Sequence, residues 1–167
     1  MRVAFYPTTK MIQRIQSVFL LLLALAMLSV LALPLWHKAD PQSGQELTLT
    51  AFSLAFTGAQ NPHAAGSAWP IAALAALSAI VALAEIFQYR NRLNQLKMGM
   101  LNVLLITATL GAAFYYASQG EQQLNVKLTG TYLTGFYLPT LALILNLLAN
   151  RFIRRDEQLV RSMDRLR

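Results

Sequence analysis

Four long apolar segments constrain the fold of this chain more than any other feature of its sequence. They are 18–36, 69–87, 98–117 and 132–149. An α-helix needs roughly 20 residues to cross about 30 Å of hydrocarbon, and each segment is close to that length. The segments are apolar on all sides of the helical wheel, whereas the outer helices of a soluble bundle carry a polar face. The sequence therefore predicts an all-α membrane protein, a bundle of four transmembrane helices.

The composition agrees with a membrane protein. Charged residues make up 13% of the chain, about half of the ~25% that is usual in soluble domains. The 167 residues contain no cysteine, which excludes a disulfide framework, a thiolate nucleophile and a metal site with cysteine ligands. We expect one membrane domain, 1–167, that ends in a cytoplasmic tail at 150–167.

The first apolar segment could also be a secretory signal peptide, because Arg2, Lys10 and Arg14 precede it. However, it is longer than the ~7 to 15 residues usual for the apolar region of such peptides. It also ends at Pro34 and Trp36, a pair that we interpret as lying at the membrane interface. We therefore expect it to be retained as the first transmembrane helix.

Basic residues are divided unequally between the two sides of the four predicted helices. Of the 14 lysines and arginines, 12 precede the first helix, lie between the second and third, or follow the fourth; only Lys38 and Lys127 fall elsewhere. Because cytoplasmic segments carry the excess of Lys and Arg, both termini are expected in the cytoplasm. Topology and contact with anionic lipids of the inner leaflet then explain the net charge of +7. No nucleic-acid partner is expected.

The two connections on the other side of the membrane contain alternating patterns typical of β-strands. One is Leu47 to Phe56 and the other is Leu124 to Thr129. A lone strand leaves backbone groups unpaired, so we predict that the two strands pair in a small outer β-sheet formed by loops 1 and 3. The alternative is that 50–56 lies at the interface as a short helix.

The fourth apolar segment contains a proline seven residues after its start. The ring of Pro139 would meet the carbonyl group of Gly135, four residues earlier. We therefore expect a kink or a late helix start. A functional hinge is the alternative interpretation.

The tail has the pattern of an amphipathic cytoplasmic helix that continues or restarts after the fourth span. Phe152, Leu159, Met163 and Leu166 form an apolar stripe, and Glu157 precedes Arg161 by four residues, a favourable order for an ion pair. The tail could contact the anionic inner leaflet, dock on a partner protein, or remain solvated. The residues assigned to lipid or partner contact are Arg151, Arg154, Arg155, Arg161 and Arg165.

Three polar residues lie inside the predicted spans at similar depth. Glu85, Asn102 and Asn146 are each five residues from a basic residue at the cytoplasmic side. An intramembrane carboxylate is usually paired or functional, so we expect Glu85 to pair with Arg14 or Arg90, with an ion or proton relay as the alternative. The two asparagines are predicted to form interhelical hydrogen bonds, each worth about 0.6 kcal/mol.

Patterns for catalysis or cofactor binding are lacking in the sequence. The two histidines, His37 and His63, do not have the spacing of a metal site, and there is no GxSxG motif or glycine-rich phosphate loop. We expect no enzymatic activity, cofactor or metal. The predicted function is that of a structural or accessory component of a membrane assembly, in contact with lipids and other membrane proteins. A small transporter or channel is the alternative, although the centres of the first two helices are almost free of polar residues.

The two ends of the sequence resemble a known family of four-span bacterial integral membrane proteins, the uncharacterised domain of unknown function 4293. The matching segments are 11–22 (MIQRIQSVFLLL), 135–139 (GFYLP), 148–151 (LANR) and parts of 156–167. With the helix pattern, the resemblance covers 11–167. The resemblance implies a location in the bacterial inner membrane and four spans. It also implies a start at the position of Met11, where family members typically begin. It implies no activity, ligand or catalytic residue.

Overall fold

The computed structural model describes residues 8–57, 64–88, 91–124 and 127–164. Within them lie four α-helices and five short β-strands. The helices are α1 (Thr8–Ala32), α2 (Trp69–Phe87), α3 (Arg92–Gln123) and α4 (Thr134–Asp164). The strands are β1 (Trp36–Asp40), β2 (Gln45–Leu49), β3 (Ser53–Thr57), β4 (Ala64–Ser67) and β5 (Thr131–Tyr132).

Each helix contains an apolar segment long enough to cross a membrane, as the sequence predicts. These segments are Ile15–Ala32, Trp69–Phe87, Leu93–Gln123 and Thr134–Arg155. Helix α2 has the predicted bounds, and Pro70 lies in its first turn, where a missing N–H is tolerated. Helix α3 begins earlier than predicted because the side chain of Asn91 accepts a hydrogen bond from the Asn94 N–H and caps it.

The end of the first helix differs from the prediction. Helix α1 stops at Ala32, and Trp36 is the first residue of β1. The backbone turns here because Pro34 has no N–H to donate and the N–H of Leu35 bonds to the oxygen of Leu49 in the sheet. Trp36 therefore belongs to the sheet and is fully buried, and the first helix ends four residues earlier than predicted.

The helices contact one another in chain order, and α4 also packs against α1. Small residues of α2, Ala72, Ala75, Ala79 and Ala82, are buried in these contacts. These alanines belong to one apolar core, which also includes Met27, Val30, Leu35, Ile71, Ile106, Ala113 and Ala142.

The connections α1–α2 and α3–α4 form one antiparallel sheet in the order β4-β3-β2-β1-β5. A small sheet from these two loops agrees with the prediction, but its strands and their pairing do not. The segment 47–56 is not one strand: it turns at Thr50, whose N–H and hydroxyl group both bond to the oxygen of Ser53, and so gives β2 and β3. Because the chain folds back at this turn, the backbone groups of β2 and β3 form hydrogen bonds with each other within the same loop. The alternative of a helix at 50–56 is also wrong.

The predicted strand at 124–129 does not form in the described part of that segment. Leu124 caps the C-terminus of α3, and 127–129 contains no strand. The loop instead contributes β5, whose Thr131 and Tyr132 pair with His37 and Trp36 of β1. Helix α3 extends six residues further than predicted, to Gln123, so the alternating segment begins at its C-cap.

Helix α4 runs from Thr134 to Asp164 through Pro139 without interruption. A late start at the proline, one of the two expectations, is therefore wrong. Glycine is required at position 135 because a Cβ atom there would lie 2.6 Å from the oxygen of Pro34. The first turn of α4 can therefore pack against the residues that follow α1.

The tail continues α4, as one of the two interpretations predicted. Its residue Phe152 stacks on Phe19 of α1, with ring centroids 5.6 Å apart. The stripe residues Leu159, Met163 and Leu166 lie outside the described side chains.

Candidate functional site

Seven polar side chains from all four helices are buried together in the half of the helices that lies away from the sheet. We call this set the polar layer. Ser78 and Glu85 of α2 are seven residues apart, as are Gln95 and Asn102 of α3, so the layer extends about 10 Å along the helices. Its members are Gln16, Ser78, Glu85, Gln95, Asn102, Asn146 and Asn150.

Three hydrogen bonds in the polar layer join different helices, one of them from Gln95 of α3 to the backbone oxygen of Glu85 of α2. The hydroxyl group of Ser78 donates to Oδ1 of Asn102 at 2.6 Å, which links α2 to α3. Nδ2 of Asn146 donates to the backbone oxygen of Gly99 at 2.9 Å, which links α4 to α3. Both asparagines named by the sequence therefore contact a neighbouring helix.

Glu85 is the acidic residue of the polar layer. Its side chain is 0% exposed, and neither carboxylate oxygen accepts a hydrogen bond from a residue that the structure describes. The side chain of Gln95 bonds to its backbone oxygen, at 3.3 Å, and not to its carboxylate. The side chains of Arg14 and Arg90, the predicted partners, lie outside the described residues, so the pairing stays a prediction.

Further atoms of the polar layer lack a hydrogen-bond partner within the described part of the chain. They are two nitrogens, Gln16 Nε2 and Asn102 Nδ2, and two amide oxygens, Asn146 Oδ1 and Asn150 Oδ1. Burying a polar atom without a partner is costly. Chemically, the layer presents donors and acceptors that suit water molecules or a cation.

Sequence reasoning missed four members of the polar layer. Gln16 and Gln95 lie outside the predicted spans, because α1 and α3 begin before the apolar segments do. Ser78 and Asn150 belong to α2 and α4 but were not singled out. Asn150 is buried because its amide packs against Gly99, where a Cβ atom would overlap it. The sequence does not reveal this contact, because it depends on how α3 packs on α4.

A second polar contact, also missed from the sequence, joins the sheet to α3. The Nζ atom of Lys38 lies 2.6 Å from Oε2 of Glu121, and the other carboxylate oxygen accepts from the N–H of Gly130 at 2.6 Å. The ring of Trp36 lies beside these groups, so close to Gly120 and Gly130 that a Cβ atom at either glycine would overlap it. This cluster holds the sheet over the end of α3.

Three of the five arginines assigned to lipid or partner contact lie together on α4. Arg151, Arg154 and Arg155 are exposed and line one end of a groove of about 900 Å³ between α3 and α4. We call this the arginine groove. Its other lining residues are Met100, Val103, Leu104, Leu147, Asn150 and Gln158. The side chains of Arg161 and Arg165 lie outside the described residues.

The acidic and histidine side chains that the structure describes lie apart from one another. Across the described residues, no group of three or more His, Asp or Glu side chains could hold a metal ion. The ring of His37 contacts the hydroxyl group of Thr48, at 3.1 Å, and His63 lies outside the described residues.

Comparison with known proteins assigns the chain to a family. A search of curated proteins gives no match. Residues 12–166 match the family described as Domain of unknown function (DUF4293). The match covers nearly the whole chain, including the four apolar segments long enough to cross a membrane and the arginine groove. The four apolar helices and the family match together show that this chain belongs to the DUF4293 family.

Proposed function

We propose that this chain is a non-enzymatic, multi-pass protein of the bacterial inner membrane, a four-helix bundle that serves as a structural or accessory component of a membrane assembly. Its helices support membrane insertion because they expose large apolar side chains and bury polar ones. Lipid-facing candidates from all four helices include Leu21, Leu25, Ile80, Leu104 and Ile144. This arrangement suits hydrocarbon rather than water.

We propose further that both termini lie in the cytoplasm. The basic residues support this orientation: Lys97, Arg151, Arg154 and Arg155 belong to the helix ends away from the sheet, whereas Lys38 and Lys127 lie at the sheet end. Lys38 is buried in its contact with Glu121, so it adds little positive charge to the surface there. The asymmetry follows the positive-inside rule.

The observation that carries a structural role is the packing of the half of the helices next to the sheet. Met27, Val30, Ile71, Ile106 and Ala113 fill it with buried apolar side chains. On α3 between Asn102 and the sheet, the buried polar side chain among the described residues is Thr109, whose hydroxyl group donates to the backbone oxygen of Leu105 in the same helix at 2.8 Å. A closed interior of this kind suits a protein that holds its shape and contacts partners, rather than one that conducts solutes.

A small transporter or channel is the second candidate, and one specific observation favours it. Glu85, Asn146 and Asn150 bury oxygen atoms that have no partner among the described residues. Buried polar groups at membrane depth commonly mark ion and proton pathways. In this alternative, the helices would have to separate in the apolar half next to the sheet to let an ion pass.

Flux measurements separate the two candidates. The protein would be reconstituted into vesicles, and proton and monovalent-cation flux compared between the native chain, Glu85→Gln and the control Glu46→Gln, which changes an exposed carboxylate on β2. A structural protein leaves all three at the level of empty vesicles. Flux that Glu85→Gln alone abolishes would instead establish the transporter.

Partners would be sought by crosslinking in native membranes, purification of the tagged chain and mass spectrometry. The proposal expects lipids and a reproducible set of membrane proteins, with crosslinks that map to the sheet or to α4. We expect no nucleic acid, because the basic residues are spread over separate segments. A chain that crosslinks to no membrane protein would contradict the role in an assembly.

A further inference from the structure

We propose that the arginine groove binds one anionic phospholipid, whose phosphate is held by Arg151, Arg154 and Arg155 and whose acyl chain lies over Met100, Leu104 and Leu147. The inference rests on the proposed function, because it specifies which membrane component the arginines contact. It does not depend on which side of the membrane they occupy.

The polarity of the groove changes along the helix axis. Leu147 lies four residues before Arg151 on α4, about 6 Å deeper in the apolar segment. Val103 and Leu104 of α3 line the same apolar part. A phospholipid has the same order, with a charged head followed by an apolar chain along the bilayer normal. The groove thus matches an amphiphile that already lies parallel to the helices.

The charged end of the groove suits a phosphate group. Arg151, Arg154 and Arg155 share one face of α4, since residues three and four apart are neighbours on a helix. Guanidinium groups bind phosphate oxygens with two parallel hydrogen bonds. None of the described side chains that line the groove is acidic, so the arginines have no competing carboxylate within it.

Asn150 adds a polar group at the border between the two ends. It lines the groove, is only 9% exposed, and its Oδ1 atom has no hydrogen-bond partner among the described residues. The Oδ1 atom itself is buried against Gly99 of α3, so the Asn150 side chain closes the border of the groove, and the arginines remain the headgroup ligands. Phosphatidylglycerol is the appropriate probe because it is an anionic phospholipid.

The size of the groove fits a small-molecule site. Its volume of about 900 Å³ lies within the ~300 to 1,000 Å³ that is usual for ligand pockets. A free phosphate would use the arginines and leave the apolar part empty, while a neutral lipid would leave the arginines unpaired. An anionic phospholipid uses both ends.

Native mass spectrometry of the detergent-purified chain tests this inference. Phosphatidylglycerol and phosphatidylcholine with the same acyl chains would be added in equal amounts and the bound lipid identified. We expect one phosphatidylglycerol molecule per chain in preference to phosphatidylcholine. Glycerol phosphate, which lacks acyl chains, should not displace it.

Matched variants locate the site. Arg154→Gln should weaken phosphatidylglycerol binding, and the triple change to Gln at Arg151, Arg154 and Arg155 should weaken it at least about tenfold, or about 1.4 kcal/mol. Leu104→Trp should also weaken binding by filling the apolar part. Lys97→Gln removes an exposed charge on α3 that does not line the groove, so its affinity should equal that of the native chain.

Several outcomes would overturn the inference. These are equal binding of both lipids, native affinity in the triple variant, or an equal loss in Lys97→Gln. Displacement by glycerol phosphate would show a simple anion site, and protection of the groove by a copurifying protein would show a protein interface. The substituted arginines are exposed, and circular dichroism would verify that each variant is folded. Failure here leaves the flux and crosslinking tests of the proposed function unaffected.

Discussion

The ammonium group of Lys38 contacts both the carboxylate and the backbone oxygen of Glu121, at 2.6 and 2.9 Å. The two residues are 83 positions apart in the chain, so one side chain ties the first loop to the end of α3. Lys38 is 2% exposed. An ammonium group this deeply buried needs its partners, because an unpaired buried charge is strongly unfavourable.

Removing the carboxylate of this pair should therefore destabilise the fold. We expect Glu121→Ala to lower the free energy of unfolding by about 1–3 kcal/mol, less than the ~3–5 kcal/mol of a fully buried pair, since the side chain of Glu121 is 35% exposed. Denaturant titration in detergent measures this. Glu46→Gln on the exposed face of β2 is the control. Equal stability of Glu121→Ala and the native chain would show that the contact is unimportant.

The glycine beside Trp36 in α3 should not tolerate a methyl group. Gly120→Ala would overlap the Trp36 ring, and overpacking of this kind costs about 1–3 kcal/mol. Thermal unfolding in detergent measures the loss. Gly111→Ala, in the same helix with nothing within 4 Å of the new atom, should be neutral or up to about 1 kcal/mol stabilising. Equal thermal stability of Gly120→Ala and Gly111→Ala would contradict this packing.

A double-mutant cycle tests the contact between α2 and α3 in the polar layer. Ser78→Ala, Asn102→Ala and the double variant should give a coupling free energy of about 0.6 kcal/mol, the average for hydrogen bonds between transmembrane helices. The same cycle between Ser78 and Asn146, which share no hydrogen bond, should give a smaller value. Coupling near zero for the first pair would argue against the bond.

The pairing of Glu85 with Arg14 can be tested by yield. If the carboxylate is held by the arginine, Glu85→Ala and Arg14→Ala should reduce the amount of folded protein in detergent to a similar extent, because each leaves a charge without its partner. Size-exclusion chromatography gives the folded fraction, and Lys97→Ala serves as the control. Normal yield from both variants would remove the pairing hypothesis.

Topology reporters test the orientation of the chain. Fusions after Lys127, at the sheet end, and after Asp164, at the end of α4, should report opposite sides of the membrane, the second in the cytoplasm. Truncation at these positions leaves three and four spans before the reporter. If both reporters lie on the same side of the membrane, the four-span topology is contradicted.

The sequence was sufficient to predict that four apolar helices form, although not where α1 and α3 begin and end. A segment that crosses hydrocarbon must be apolar on all sides for about 20 residues, and this requirement is local. It identified four segments, set both ends of α2, and showed that α4 could continue into the tail. The three buried polar residues Glu85, Asn102 and Asn146 were also visible, because any polar residue stands out in such a segment.

Contacts between distant residues required the tertiary structure. Alternation along 47–56 is the same for one strand as for a hairpin, and the choice depends on which backbone groups lie opposite. The burial of Lys38 by Glu121 and the joining of Met100, Leu104 and Leu147 with Arg151, Arg154 and Arg155 in one groove depend on how α3 packs. Helix formation is decided within a segment, whereas strand pairing and the shape of a site are decided by the free energy of packing segments together.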